Sequence, residues 1–190
     1  MTDDSDFDEQ SIIVKCQHGD KHAFGVLVQH YKERAYFCAL GIVGVPEAAL
    51  DLSQDAFVRT WKSIAKIDVL RPFFPWYYRI LRNLCFNYQR DTARHARSFS
   101  EIGEPTLKAI SDPSPDAATL LDRQELHDKV WEGLNALKPH EREIIVLKDI
   151  QDLPYKTIAE MLDIPTGTVM SRLFNARQAL KKQLERYWHE

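Results

Sequence analysis

The sequence predicts an all-α protein made of two small helical domains joined by a flexible linker. Three observations carry that expectation. Apolar residues recur at three- and four-residue spacing through most of the chain. No segment alternates apolar and polar residues convincingly, and no Asn-Gly hairpin signal occurs. From about Thr92 to Ala118 the periodicity lapses into a stretch with Gly103, Pro105, Pro113 and Pro115 among serines and acids, the composition of a linker. The expected boundaries are therefore 1–91, 92–118 and 119–190. Fully extended, about 25 linker residues reach roughly 80 Å at ~3.3 Å each, so the two domains need not touch.

The elements follow in order. The first long helix places Phe24, Leu27, Val28, Tyr31, Ala35 and Cys38 on one stripe, with Asp20 as its N-cap after Gly19. The second opens with Pro46 in its first turn and continues through Ala49, Leu52, Ala56, Phe57, Trp61 and Ile64. The third is expected to begin at Pro75 and stacks Trp76, Ile80, Leu84 and Tyr88 four apart. Beyond the linker, Leu126, Val130, Leu134 and Leu137 share one side, and Pro139 starts the next helix. A short helix then turns Ile158, Ala159 and Leu162 inward. Asp163, Ile164 and Pro165 interrupt it, and Thr166 caps a last helix whose inward residues are Val169, Leu173, Ala176 and Leu180.

Composition narrows the function. The chain has 190 residues, 44% of them hydrophobic, which is enough for packed cores. A net charge of −3 and a pI near 6.2 argue against coating nucleic acid by bulk charge. Charge is unevenly placed, however. Asp3, Asp4, Asp6, Asp8 and Glu9 make the N-terminus acidic. Arg71, Arg79, Arg82, Arg90, Arg94 and Arg97 form one basic group, and Arg172, Arg177, Lys181, Lys182 and Arg186 another. Local basic faces on an acidic body point to site-restricted nucleic-acid contact with help from a partner. Three cysteines, Cys16, Cys38 and Cys85, without CxxC spacing fit a reducing cytoplasm. No leader pattern or bilayer-length apolar run appears, so a cytoplasmic protein without membrane insertion is expected.

Three constellations bear on chemistry, and each has a plain structural reading beside the functional one. In the last helix Thr168, Met170, Ser171, Arg172, Phe174, Asn175 and Arg177 occupy the face opposite the inward stripe. A helical hairpin with a solvated face explains this. So does a helix-turn-helix whose second helix enters a major groove, where Arg pairs with guanine, Asn with adenine, and Ser reaches phosphate or base edges. Asp51, Gln54 and Asp55, at i, i+3 and i+4, are either a solvated face or a docking patch. The helix holding Trp76, Tyr77, Arg79, Arg82, Asn83 and Arg90 is either core plus solubilising arginines or a surface for unstacked bases, each base–aromatic stack contributing ~1–3 kcal/mol.

The order of residues from Ile158 to Arg177 is more demanding than its spacing: Ile-Ala-Glu-x-Leu, x-Ile-Pro, x-Gly-Thr-Val, x-Ser-Arg, x-x-x-Ala-Arg. It resembles region 4 of bacterial extracytoplasmic-function (ECF) sigma factors, the small initiation subunits of RNA polymerase. The preceding segment with Pro139 and Arg142 resembles that family's Leu-Pro-x-x-x-Arg lead-in, with Lys138 before the proline. Asp163 stands where Gly is common, and Met170 and Asn175 where a basic residue is frequent. The stretch from Asp51 to Phe57 resembles region 2.2, and Trp76, Ile80, Arg82 and Asn83 fall on the pattern of regions 2.3 and 2.4. The likeness covers about residues 20 to 185.

That resemblance implies roles. Asp51, Gln54, Asp55 and Arg59 are expected to contact the polymerase core at its β′ clamp helices, with the β flap a further contact of the core. Trp76, Tyr77, Arg79, Arg82, Asn83 and Arg90 are expected at the melted minus-ten element, and the preceding loop from Lys66 to Phe74 corresponds to the base-capturing loop. Thr168, Met170, Ser171, Arg172, Phe174, Asn175 and Arg177 are expected at the minus-thirty-five element. Family membership also implies a cognate anti-sigma factor. The alternative is a free-standing helix-turn-helix regulator, which leaves the Asp51/Gln54/Asp55 patch and the Arg82-Asn83 helix unexplained. No phosphate loop or nucleophile motif is present, so no enzyme and no cofactor is expected. Cys16, His18 and His22 read as turn and N-cap rather than as a metal site.

Each module offers few cations, and phosphate neutralisation supplies most non-specific affinity. The free protein is therefore expected to shift duplex promoter DNA poorly in a gel, and to do so well only with core polymerase fixing the modules' separation. Tight, specific promoter binding without polymerase would contradict this.

Overall fold

The computed structural model describes residues 7–98 and 128–188, and every regular element among them is helical. The N-terminal module comprises α1 (Glu9–Gln17), α2 (Lys21–Val43), α3 (Pro46–Ser63), a 3₁₀ turn at Ile64–Lys66 and α4 (Phe73–Ser98). The C-terminal module begins with the described part of α5, 128–135, followed by α6 (Pro139–Ile145), a π turn (Val146–Ile150), α7 (Tyr155–Leu162) and α8 (Thr166–Trp188).

Local chemistry sets the helix ends. The Asp20 carboxylate accepts from the N–H groups of His22 (2.8 Å) and Ala23 (3.1 Å), as an N-cap should; the Ala23 bond leads in holding its pKa below the ordinary value. Gly44 ends α2 in the left-handed conformation (φ 76°), its N–H returning to the Leu40 carbonyl at 2.9 Å. Asp163 adopts the same conformation (φ 55°) after α7, which short polar side chains tolerate where glycine is the common choice. Thr166 is the first residue of α8 rather than its cap.

The N-terminal core is aromatic. Phe57, Phe73, Phe74, Tyr77 and Tyr31 pack ring against ring between α2, α3 and α4, with Leu27, Ala35, Cys38, Leu81 and Leu84 around them. Glu9 ties α1 to this cluster. Its carboxylate accepts the Phe73 N–H at 3.0 Å and the Tyr31 hydroxyl. That bond satisfies one orphan donor of α4, which starts at Phe73, two residues before Pro75. The expected α4 stripe is also displaced. Phe73, Tyr77, Leu81 and Leu84 are buried with Phe74, Tyr78 and Cys85, whereas Trp76 and Ile80 are half-buried and Tyr88 is exposed. At its far end α4 continues to Ser98, through the first seven residues of the expected linker. The remaining linker positions, 99–118, and residues 119–127 lie outside the described residues, as do Asp3, Asp4 and Asp6.

In the C-terminal module Trp131, Leu134, Leu137, Ile144, Ile145, Leu147, Ile158, Met161, Val169, Leu173 and Ala176 form the core. Val169, Leu173 and Ala176 match the expected inward face of α8, and Leu180 is half-buried.

The two modules touch, which a tether did not require. Arg142 of α6 reaches the end of α2: its Nε donates to the Gly41 carbonyl (2.5 Å), its Nη2 to the Ile42 carbonyl (2.7 Å) and its Nη1 to Asn135 Oδ1 (2.9 Å). The Gly41 and Ile42 carbonyls are orphans of the α2 C-terminus, closed by a cation from the other module. Phe37 stacks on Trp131 with ring centroids 6.0 Å apart. Gly41 makes the approach possible, because a Cβ there would lie 2.7 Å from Val146 Cγ2.

Gly41→Ala therefore separates a local from a tertiary effect. Alanine favours an isolated helix interior by roughly 0.5–1 kcal/mol, yet here it clashes with the neighbouring module. Small-angle scattering of this variant is expected to show a larger radius of gyration with helicity retained; an unchanged radius would contradict the contact.

Candidate functional site

Three surfaces carry the residues singled out in the sequence. On α3, Asp51, Gln54, Asp55 and Arg59 are all exposed on one side of the helix. The structure adds a neighbour that spacing did not reveal. Lys21, Phe24 and Val28 of α2 and Gln54, Phe57, Val58 and Trp61 of α3 line an open apolar groove of about 420 Å³. Phe24 and Trp61 meet there with centroids 5.0 Å apart. Phe24, Val28 and Trp61 fall on the expected core stripes but are only partly buried, because they line this open groove. Carboxylates and an amide beside an apolar slot suit a helical partner that is basic at its rim and apolar along one face.

The second surface is the exposed side of α4. Arg79, Asn83 and Arg90 are exposed there, and Trp76 is half-buried. Tyr77 is not on this surface. Its ring is fully enclosed, its hydroxyl donates to the Ser53 carbonyl at 3.0 Å, and burial pushes its pKa up. The expectation of a base contact at Tyr77 is corrected accordingly: the residue is core. Asp68 and Arg71, in the preceding loop, pair at 3.4 Å, and Leu70 beside them is exposed.

Arg82 has a partner that sequence reasoning missed. Glu143 of α6 is only 3% exposed and accepts from Arg82 Nε (2.6 Å) and from the Tyr78 hydroxyl (2.6 Å). Burial first, then the Glu143 charge, raises the Tyr78 pKa far above its ordinary value. For Arg82, burial opposes the charge and the Glu143 bonds more than offset it, so its pKa rises. The Arg82 guanidinium also lies 4.6 Å from the Phe86 ring. Nearby, Arg79 Nη2 donates to the Glu160 carbonyl of α7 at 3.3 Å. Two of the cations expected at melted DNA are thus engaged by the other module.

Arg142, 4% exposed, is the counterpart on α6. Burial pulls its pKa down to about 10, so it stays charged at neutral pH while held by carbonyl and amide oxygens. The Pro139–Arg142 spacing marked this residue, but nothing local indicated its target about a hundred positions away.

The third surface is α8. Met170, Ser171, Arg172, Phe174, Asn175 and Arg177 are exposed, and Thr168 is half-buried. The Ser171 hydroxyl donates to the Thr168 carbonyl at 3.1 Å. Arg177 is paired within its own module with Asp149, Nε to Oδ2 at 3.0 Å, and that bond leads in raising its pKa. The α7–turn–α8 unit leaves the polar face of α8 exposed across several turns, with Arg177 paired to Asp149, an arrangement that suits entry of α8 into a major groove.

Other chemistry finds little support. Cys16, Cys38 and Cys85 are buried free thiols, and burial raises the Cys16 and Cys85 pKa values to about 11 and about 12. The His18 ring bonds the Val14 carbonyl at 2.8 Å, at the end of α1. Among the described residues no group of three or more His, Cys, Asp or Glu side chains could hold a metal ion, and no helix is long and apolar enough to cross a membrane.

Comparison with known proteins establishes the family. Residues 27–95 match the family Sigma-70 region 2, and residues 127–180 match Sigma-70, region 4. The chain is 33% identical to the ECF RNA polymerase sigma factor SigW of Bacillus subtilis, covering 90% of this chain and 94% of that one. It is 30% identical to the RNA polymerase sigma-H factor of Pseudomonas aeruginosa and to the ECF RNA polymerase sigma-E factor of Escherichia coli K12, covering 93% of this chain and 94% of each. In fold it is similar to the sigma factor RpoE in complex with the anti-sigma factor NepR from Bartonella quintana. There the TM-score is 0.69 at 21% identity, over 85% of this chain and 96% of that one. CnrH in complex with the cytosolic domain of CnrY gives 0.63 at 24%, over 94% and 97%. With both sigma regions present in order, and relatives this similar along nearly its whole length, the chain belongs to the ECF sigma factors of the sigma-70 family.

Proposed function

We propose that this protein directs core RNA polymerase to specific promoters and supports their melting, with α3, α4 and α8 as the three working surfaces. The observation that supports this reading is the presence on one chain of an acidic patch beside an apolar groove and, separately, a helix-turn-helix whose second helix exposes a polar face. A free-standing regulator has use for the second but not for the first.

In this reading Asp51, Gln54, Asp55 and Arg59 contact the β′ clamp helices, and the Phe24/Val28/Trp61 groove beside them would receive apolar side chains of that partner. Region 4 adjoins the β flap. Trp76, Arg79, Arg82, Asn83 and Arg90 hold the melted minus-ten strand, Trp76 offering a ring and the arginines gripping phosphates. Thr168, Met170, Ser171, Arg172, Phe174, Asn175 and Arg177 face the minus-thirty-five duplex. No bond is made or broken by this subunit; it positions, captures and hands over, in the cytoplasm where polymerase works, without inserting into a membrane. An anti-sigma factor is a further partner, supported by the complexes in which its structural relatives were solved.

The inter-module contacts add a step. Arg82 spends its Nε–H and one Nη2–H on Glu143, so a full grip on phosphate competes with that pair, and parting of the modules frees the whole guanidinium for the minus-ten strand. Water or polymerase can replace every polar bond of this interface on separation, which keeps the exchange reversible. Core polymerase, holding the modules apart, supplies the bias toward the open form.

Charge reversal tests the docking surface. Asp51→Lys with Asp55→Lys changes two exposed positions, so the fold should survive. Co-elution with core polymerase and promoter-dependent run-off transcription are expected to fall at least tenfold. Normal transcription by this variant, or none from the natural chain on any promoter library, would overturn the assignment.

A further inference from the structure

Two large apolar side chains stand in water on the working face of α8. Phe174 is 63% exposed and Met170 is 50% exposed, the first the most exposed aromatic among the large apolar residues of the described chain. They sit at i and i+4, so they lie side by side on one stretch of helix surface. Neither belongs to the buried stripe of Val169, Leu173 and Ala176 directly behind them. Ser171, Arg172 and Asn175, all exposed, surround the pair with groups suited to phosphates and base edges. A surface mixing an apolar pair with a guanidinium, an amide and a hydroxyl fits duplex DNA better than an apolar protein partner.

Among the groups that base pairs present in the major groove, the C5-methyl of thymine is the one apolar substituent larger than a hydrogen. We propose that Met170 and Phe174 read thymine methyl groups in the minus-thirty-five element, making this chain's upstream specificity partly apolar. The inference rests on the assignment of α8 to that element. Four residues of helix rise about 6 Å, close to two base-pair steps of ~3.4 Å, so the pair addresses thymines within two or three consecutive base pairs. Methionine is suited to this role because its unbranched, polarisable chain adjusts to either strand, while the rigid phenyl ring fixes one position. Asn175 and Arg172 then supply the hydrogen-bonded part of the code at the flanking pairs.

Deoxyuridine differs from thymidine by that methyl alone, which gives a clean test. A strong promoter is selected with holoenzyme from a library randomised in the upstream element. Each upstream thymine, on either strand, is then replaced in turn by deoxyuridine. One or two positions are expected to lower promoter occupancy and transcription about three- to fivefold each, the scale of one methyl group removed from water. Holoenzyme carrying Phe174→Ala should start near the lowered level and lose nothing further at its position, and Met170→Ala should do the same at the other. Selected elements without thymine, indifference to every replacement, or equal further losses in both variants would overturn the proposal while leaving the sigma-factor reading intact. Failure to obtain any promoter-dependent transcript would remove that reading, and this inference with it.

Discussion

The guanidinium of Arg142 on the carbonyl end of α2 is the contact on which the observed arrangement of the chain depends. A helix leaves its last carbonyls without partners, and burying them against another module requires a donor there. Arg142 provides one in a favourable place, since a cation at a helix C-terminus also meets the negative end of the macrodipole. Among the described residues no carboxylate bonds to it, and oxygen dipoles compensate the ion there. Gly41 and the αL turn at Gly44 leave room for it, as side chains at either position would press on Val146 or on the guanidinium.

An interface of this kind differs from a core. The aromatic cluster of the N-terminal module has no good alternative in water, whereas Arg142, Glu143, Arg82 and the α2 carbonyls can all be resolvated when the modules part. The interface also has an apolar part, the Phe37–Trp131 stack and Val146 against Gly41, and inter-domain contacts ordinarily permit relative motion unless they are large and hydrophobic. The same interface engages Arg82 and Arg79, the two cations that the proposed function assigns to a melted strand. Under that proposal, weak DNA binding by the free chain would have two physical sources: few cations, and some of them engaged. Release by polymerase would turn both into a requirement for the full assembly.

Much of this was legible in the sequence because it rests on local rules. Asp20, Pro46 and Pro139 mark helix starts by their own chemistry, and the inward stripe of α8 follows from helical spacing. The α3 patch and the exposed face of α8 were likewise readable. Failures came where one helix is apolar on more than one side. Around α4, Phe73, Phe74, Trp76, Tyr77, Tyr78 and Ile80 leave several candidate stripes, and only packing chooses Tyr77 and Tyr78 for the interior. The end of α4 was placed too early because polar residues after Thr92 looked like linker, although no glycine or proline interrupts the helix before Gly103. Glu9 on Phe73, Glu143 on Arg82 and Arg142 on Gly41 join positions 61 to 101 residues apart, beyond any local pattern.

The most direct measurement places fluorophores at two exposed positions, Lys32 on α2 and Gln178 on α8, and follows energy transfer between them. High transfer in the free protein, falling when core polymerase is added, is the expected result. Transfer that polymerase leaves unchanged would contradict a chain held closed by Arg142 and opened by its enzyme.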